Sequence, residues 1–141
     1  MNRRANPLDA PLLAAIHATS FAEPWDAQAF TVLLAQPGVA GWLWGDPPQG
    51  LLLARAVADE AEILTIAVTP DARQQGGGRA MIEGALDVLK QGGTARVFLE
   101  VAADNTPALA LYNGRGFTPC GRRPGYYANG ATDAVIMERK L

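Results

Sequence analysis

The sequence has few of the side chains from which metal and nucleophile sites are most often built. Among its 141 residues there is one cysteine, Cys120, and one histidine, His17. A single cysteine excludes an internal disulfide and a metal site made of paired cysteines. A single histidine argues against histidine-based zinc sites and against a Ser-His-Asp triad. We therefore expect no bound metal, and we assign structural roles to His17 and Cys120.

Charge and long apolar runs are also scarce. Charged residues make up 18% of the chain and the formal net charge is −2, which argues against nucleic acid as the main partner. No apolar run approaches the ~20 residues that span a bilayer, and polar residues and prolines interrupt the N-terminal segment where a signal peptide would be continuous. With 49% hydrophobic residues, the composition predicts one globular domain over residues 1–141, in the cytoplasm and away from membranes.

Hydrophobic periodicity in the first half of the chain predicts two helices followed by three strands. Apolar residues recur at helical spacing over residues 8–20, and a second helix is expected from Asp26, as N-cap, to Gln36. Apolar runs predict strands at 39–44, 51–58 and 61–68. Turn residues separate the first two of these strands, so we expect a hairpin with a five-residue loop.

The second half predicts two more helices and three more strands. One helix covers residues 80–90 and stops at Gly92-Gly93, and another follows Asn105 or Thr106 as its cap. Strands are expected at 95–101, 117–121 and 134–137, with Tyr126-Tyr127 in a polar loop between the last two. Because three strands precede the first long helix, we predict an α/β fold with one mixed sheet (α+β) rather than a regular βαβ array.

The most informative segment is VTPDARQQGGGRAM, residues 68–81. An apolar strand runs into a glycine-rich turn, and a helix follows at once. The first N–H groups of a helix lack intrahelical partners, and the helix dipole places partial positive charge there. Glycines allow a bound group to approach the backbone closely. This arrangement predicts a site for a phosphorylated ligand.

Three other interpretations compete for the glycine segment. A P-loop requires Lys-Ser/Thr after its last glycine, whereas Arg79-Ala80 follow Gly78. A dinucleotide fingerprint requires G-x-G-x-x-G, which Gly76, Gly78 and Met81 do not supply. The third is a glycine-rich turn without a ligand, which is disfavoured because consecutive glycines are costly to order.

The segment from Arg73 to Gly78 resembles the pyrophosphate loop of the GNAT superfamily of N-acetyltransferases, with the signature Q/R-x-x-G-x-G/A. The resemblance extends from about Pro24 to Met137. It is nearest to the RimI-like branch, the ribosomal-protein N-terminal alanine acetyltransferases. The stretches that carry it are Pro24-Trp25 with Phe30, Ile66-Ala67-Val68, Leu99-Glu100-Val101, Asn105, Ala110-Leu111-Tyr112, Gly116-Phe117, Tyr126-Tyr127, and Asp133-Ala134 with Met137.

The resemblance implies the GNAT fold, in which a mostly antiparallel sheet is splayed at the cofactor site and flanked by about four helices. It implies acetyl-CoA as cosubstrate, a protein N-terminus as acceptor, with a ribosomal protein as its expected source, and direct transfer between them. Glu100 matches the proton acceptor and Tyr112 the proton donor to the departing thiolate. The positions matched to the cofactor are Ile66, Ala67, Val68, Arg73, Gln74, Gln75, Gly76, Gly77, Gly78, Arg79 and Asn105.

Alternative interpretations stay open for the function and for both catalytic positions. The chain could acetylate a small-molecule amine, such as a polyamine or an aminosugar, or bind coenzyme A without turnover. By strand alternation Glu100 shares a face with Arg96 and could merely pair with it. Tyr112 lies at helical spacing typical of a core aromatic.

The chain departs from the RimI-like pattern at three positions. Residue 102 is Ala where that branch usually has Arg, and residue 77 is Gly where it has a bulky aliphatic side chain. Thr132 stands where Glu usually precedes Asp133-Ala134. None of the three removes a cofactor-binding or catalytic group, but together they weaken the assignment of a ribosomal acceptor.

Overall fold

The computed structural model describes residues 2–127 and 130–141, which form seven strands and four α-helices. The strands are β1 (Asn2–Ala5), β2 (Val39–Trp44), β3 (Gly50–Val57), β4 (Glu60–Val68), β5 (Arg96–Ala102), β6 (Thr118–Tyr127) and β7 (Thr132–Lys140). The helices are α1 (Ala10–Ala18), α2 (Ala27–Ala35), α3 (Gly77–Gln91) and α4 (Thr106–Gly114), with short 3₁₀ helices at Pro7–Asp9 and Pro70–Ala72. Among these residues no helix is long and apolar enough to cross a membrane.

The strands form one sheet in the order β1-β2-β3-β4-β5-β7-β6. Its pairs are antiparallel except for β4 with β5, which are parallel. These two strands pair over Glu60–Glu62 and Arg96–Phe98, and beyond these positions no pairing joins them in the described structure. The predicted mixed, mostly antiparallel sheet with a splay and four helices is thereby confirmed.

A β-bulge in β4 determines which residues face each layer of helices. Leu53 pairs with Thr65 and Ala54 with Ile63, so Leu64 is the extra residue. Before the bulge, Ile63 packs in the core beneath α3. After it, Ile66 packs against that same core, whereas Ala67 packs in the second core beneath α1 and α2. The bulge therefore re-aims the end of β4 at the splay.

Local sequence signals located most element boundaries correctly. The Asp26 carboxylate accepts the Ala29 N–H at 2.8 Å, as an N-cap should. The expected hairpin is present, with a five-residue loop between Trp44 and Gly50. In a similar way, the Asn105 side chain accepts the Ala108 N–H at 3.3 Å and caps α4.

Several elements differ from the prediction: α1 is shorter than the predicted 8–20, and β7 is longer than the predicted 134–137. Three further differences have a local cause. Strand β1 was not expected, and it forms by pairing with β2. Helix α3 begins at Gly77 rather than Ala80, because the Ala80 N–H already bonds the Gly76 carbonyl at 2.9 Å. Strand β6 runs on to Tyr127, where a loop was predicted, since pairing with β7 outweighs the turn preference of Pro124-Gly125.

Candidate active site

The splay exposes one backbone edge of β4. The Thr69 N–H donates to the Gln49 carbonyl at 2.8 Å, toward the β3 side. Successive residues of a strand direct their backbone groups to opposite sides, so those of Val68 and Ile66 face the gap toward β5. The Val68 carbonyl accepts the Arg73 Nε–H there at 3.0 Å. This edge can therefore pair with an extended ligand that carries amide groups.

A cavity of about 590 Å³ lies at the mouth of the splay and brings together most of the predicted cofactor residues. Those that line it are Ile66, Ala67, Val68, Arg73, Gln74, Gly76, Gly77, Gly78, Arg79 and Asn105. Gln75 is not in this lining, and its side-chain amide donates to the Asp71 carbonyl at 3.4 Å. The sequence-based grouping of loop, strand end and Asn105 corresponds to one continuous surface.

The glycine loop has the geometry of an anion cradle. Gln74 and Gly76 have φ of 65° and 83°, and this left-handed backbone turns successive N–H groups toward one side. The N–H groups of Gly77, Gly78 and Arg79 lie in the first turn of α3, where no helical carbonyl precedes them. A Cβ on Gly78 would lie 3.1 Å from Leu111 Cδ2, so glycine keeps this approach open. The loop thus fits a diphosphate of the kind found in coenzyme A.

Basic side chains add to this positive end. Arg73 lies at the start of the loop, and Arg79 pairs with Glu83 at 3.3 Å one turn further along α3. Arg115 contacts the same carboxylate from the end of α4. The hydrogen bond from Arg79, followed by that from Arg115, lowers the pKa of Glu83, so the carboxylate stays ionised and links the two helices.

A second cavity, of about 330 Å³, lies deeper in the splay and contains both predicted catalytic residues. Glu100 enters from β5 and Tyr112 from α4, with Asn105 beside them. Tyr127 of β6 lines the same cavity, whereas Tyr126 is 53% exposed. The topology thus places an acid–base pair of side chains around one space.

Glu100 pairs with Arg123 rather than with Arg96. Its Oε1 lies 2.9 Å from Arg123 Nη2, and its side chain is 20% exposed. Arg96 instead lies 3.8 Å from Glu138. The alternative pairing of Glu100 with Arg96 is therefore wrong in the described structure, although both residues lie on the predicted face.

Tyr112 is both a core aromatic and a cavity residue. Its ring packs edge-on against Phe117 with centroids 6.1 Å apart, and the residue is 6% exposed. Burial, followed by the neighbouring Tyr127, raises the pKa of Tyr112 above its ordinary value. The phenol therefore stays protonated at working pH and can donate a hydrogen bond into the cavity.

The loop between α1 and α2 completes the wall of both cavities. Ser20 and Phe21 line the 330 Å³ and the 590 Å³ spaces. Sequence reasoning missed both residues, although Phe21 precedes the Pro24-Trp25 pair that carried part of the resemblance. Proximity of Phe21 to that pair is the signal that could have drawn attention to it.

His17 anchors this loop from the core. The ring is stacked between Phe21, with centroids 4.1 Å apart, and Trp25, at 4.9 Å. Its Nδ1 accepts the Trp25 N–H at 3.1 Å, so Nε2 carries the proton and donates to Thr65 Oγ1 at 3.0 Å. Burial lowers the pKa of His17 to about 4, which keeps it neutral. This is the structural role that the sequence predicted.

A third cavity, of about 460 Å³, opens on the other side of Glu100. Its lining includes Arg55, Glu60, Glu62, Phe98 and Arg123. Glu100 lines both this cavity and the 330 Å³ one, so it lies between that inner cavity and an outer side.

The splayed sheet with a glycine loop between β4 and α3 is the architecture of an acetyltransferase fold, and a family comparison identifies its class. The model of the Acetyltransferase (GNAT) family matches residues 10–117. The chain belongs to the GNAT family of acetyltransferases.

Two relatives show which members of the family this chain is similar to. The chain is 37% identical over 139 residues to the N-alpha-acetyltransferase RimI of Mycobacterium tuberculosis, covering 93% of this chain and 86% of that one. It is 44% identical over 87 residues to the [Ribosomal protein bS18]-alanine N-acetyltransferase of Escherichia coli, covering 60% of this chain. That second match spans 59% of the relative's own length.

Solved structures share the fold over the whole chain. The crystal structure of the ribosomal-protein alanine N-acetyltransferase from Escherichia coli superposes with a TM-score of 0.89 at 32% identity, covering 100% of this chain and 94% of that one. Arabidopsis thaliana NAA60, solved in complex with acetyl-CoA, gives 0.86 at 21% identity, covering 100% and 98%. At that identity the second likeness shows the fold alone.

Proposed function

We propose that this chain, as one domain, transfers the acetyl group of acetyl-CoA directly to the α-amine at the N-terminus of a protein. The observation that carries the proposal is the meeting of Glu100, Tyr112 and Asn105 around one cavity at the splay of β4 and β5. The adjoining glycine loop and strand edge supply N–H and C=O groups suited to a diphosphate and a pantetheine arm.

The proposed roles follow from the chemistry of the two side chains. Bound acetyl-CoA would supply an activated thioester. A protein N-terminus has a pKa near 7.7–8.0, so roughly a tenth is neutral at pH 7 and Glu100 has one proton to accept, through water, as attack proceeds. Tyr112 would donate a hydrogen bond to the sulfur as charge develops, since its raised pKa makes complete proton loss unfavourable.

The shape of the outer side favours a peptide acceptor. Beyond Glu100 the 460 Å³ cavity continues across the sheet, which leaves room for residues that follow the acceptor amine. Exposed Tyr126, whose ring lies 5.3 Å from the guanidinium of the lining residue Arg123, adds aromatic surface nearby. Relatives whose names specify alanine N-acetylation of a ribosomal protein support an acceptor of that kind, which would place the reaction in the cytoplasm.

The test is an acceptor panel assayed by release of free coenzyme A thiol. It would contain a ribosomal-protein N-terminal peptide beginning with Ala, the same peptide with a blocked N-terminus, a polyamine and an aminosugar. We expect transfer to the unblocked peptide and none to the blocked one, which reports lysine acetylation separately. Preference for either small amine would overturn the acceptor assignment. Calorimetric titration with acetyl-CoA comes first, because absence of saturable binding would refute the whole proposal.

A further inference from the structure

The carboxylate of Glu100 on β5 pairs with the guanidinium of Arg123 on β6, a strand that does not adjoin β5. In the sheet β7 lies between β5 and β6, yet Arg123 of β6 reaches Glu100 of β5 with N···O at 2.9 Å. Sheet register explains the reach. Ala134 pairs with Ala102 on one side and with Arg123 on the other. Because the side chain of Ala134 is small, it leaves space between β6 and β5 on this face of the sheet. The Arg123 side chain passes diagonally across β7 through that space to Glu100.

Arg123 is held on a second side as well. Its guanidinium carbon lies 5.3 Å from the centre of the Tyr126 ring, within the range of a cation–π contact. The Arg123 side chain is 54% exposed, while the carboxylate it holds is largely covered. The guanidinium of Arg123 therefore has two partners, the Tyr126 ring and the Glu100 carboxylate.

Resting on the acetyl transfer proposed above, we propose that Arg123 is a positioning residue for Glu100. By engaging Oε1, the guanidinium would fix the carboxylate in the wall of the 330 Å³ cavity and leave Oε2 to accept a proton. The guanidinium also neutralises the carboxylate, so the protonated form of the acceptor amine gains no strong ion pair there. Arg123 touches neither reacting atom in this arrangement and acts through Glu100.

The departure at position 102 is consistent with this role. Ala102 lies on the same face as Glu100, two residues along β5, and lines the cavity. An arginine there would bring a second guanidinium beside the one from Arg123. With alanine at 102, the ion pair of Glu100 comes from Arg123 of β6.

A double-mutant cycle tests the proposal. Arg123→Gln should lower kcat about tenfold, part of the 10²–10⁴ that a general base contributes, and leave the KM for acetyl-CoA unchanged. Arg123→Lys keeps the charge and should recover most of the loss. In a Glu100→Gln background, Arg123→Gln should change kcat by less than about twofold, because residues that act as a unit are non-additive.

Arg122→Gln is the matched control. Arg122 directly precedes Arg123 on β6, and its side chain is 53% exposed, close to that of Arg123. It pairs with Asp133 at 3.1 Å rather than with Glu100. It should keep wild-type kcat. Thermal unfolding and acetyl-CoA titration of each variant separate misfolding from mispositioning.

The outcomes separate this inference from the function on which it rests. A tenfold loss in both backgrounds, or no loss in either, would overturn the role of Arg123. A fully active Glu100→Gln variant would overturn it as well, yet leave acetyl transfer standing. A wild-type chain that binds acetyl-CoA but acetylates no acceptor would instead refute the proposed function.

Discussion

The indole of Trp44 lies directly against the backbone of Gly77, at the point where β2 ends and α3 begins. A Cβ on Gly77 would lie 2.6 Å from Trp44 Cε3 and 2.8 Å from two other ring atoms. Residue 77 is one of the three departures from the RimI-like pattern noted in the sequence, and in this chain the Trp44 ring occupies the space that a Cβ would need. The departure from the pattern at this position therefore has a local packing explanation.

This contact predicts a coupled pair of substitutions. Gly77→Ala should destabilise the fold by about 1–3 kcal/mol, the usual cost of overpacking, and weaken acetyl-CoA binding by shifting the start of α3. Trp44→Leu makes room, so Gly77→Ala should cost less in that background. Denaturant unfolding and calorimetric titration of the four proteins measure the coupling. Equal costs in both backgrounds would show that the two residues are independent.

Tyr112→Phe should retain acetyl-CoA binding and lose turnover. The ring that packs against Phe117 is kept, while the hydroxyl that would stabilise the departing sulfur is removed. We expect kcat to fall about 10²-fold, as for loss of one transition-state hydrogen bond. Because the pKa of Tyr112 is raised, its ionisation should not reduce wild-type kcat as the pH approaches about 10. An unchanged kcat in the variant would refute the role.

Glu100→Gln should lose most activity at low pH. The α-amine is increasingly protonated below its pKa of about 7.7–8.0, so a group that accepts its proton matters more there. Rates of variant and wild type measured across pH, at saturating acetyl-CoA, give the ratio directly. A ratio that stays constant with pH would argue against Glu100 as the base.

Asn105 combines a cap with a predicted cofactor contact, and two substitutions separate them. Its Oδ1 caps α4 through the Ala108 N–H, which leaves its amide N–H groups free to point into the cavities. Asn105→Ala should cost about 1 kcal/mol of stability, whereas Asn105→Ser keeps a capping oxygen and should cost little. Both variants should bind acetyl-CoA more weakly. Wild-type affinity in the serine variant would mean that Asn105 serves only as a cap.

His17 should make the protein less stable in acid. Its pKa is about 4 in the folded chain against an ordinary value of 6.5, so between these values the unfolded state binds the extra proton. The free energy of unfolding should therefore fall as pH drops from about 6.5 to about 4, by up to ~3 kcal/mol. His17→Asn should be less stable at neutral pH but show a flatter dependence. Denaturant midpoints of wild type and variant measured across this pH range test the prediction. Parallel pH dependences of the two proteins would contradict a role for His17.

Much of the fold could be read from local signals because those signals act within a few residues. The caps at Asp26 and Asn105 satisfy N–H groups in their own helices, and the turn after Trp44 depends on adjacent residues. Strand β1 could not be found in this way. Its sequence Asn-Arg-Arg-Ala is polar, and it becomes a strand through partners some 40 residues away on β2.

The candidate site shows the same division. The glycine loop is contiguous in sequence, so its motif identified it, and the roles of its residues remain predictions. The ion pair between Arg123 and Glu100 depends on sheet order and on the small Ala134 between them. Neither spacing nor periodicity encodes that order, and sequence alternation instead suggested Arg96, which lies on the same strand.

Because β4 and β5 pair only over a short segment in the described structure, a small change of angle there is amplified along β4. β4 and β5 are fastened near one end, at Glu60–Glu62 and Arg96–Phe98. From Ile63 to Val68, β4 pairs with β3 but not with β5 in the described structure, and this stretch is about 20 Å long at ~3.3 Å per residue. A tilt of about 5° at the fastened end therefore displaces the far tip by roughly 2 Å. Repacking around Val97, which is fully buried and lines none of the three cavities described above, would thus alter the width of the gap between β4 and β5. Substitutions of Val97 are therefore the ones to test for a change in substrate range that leaves every cavity-lining residue in place.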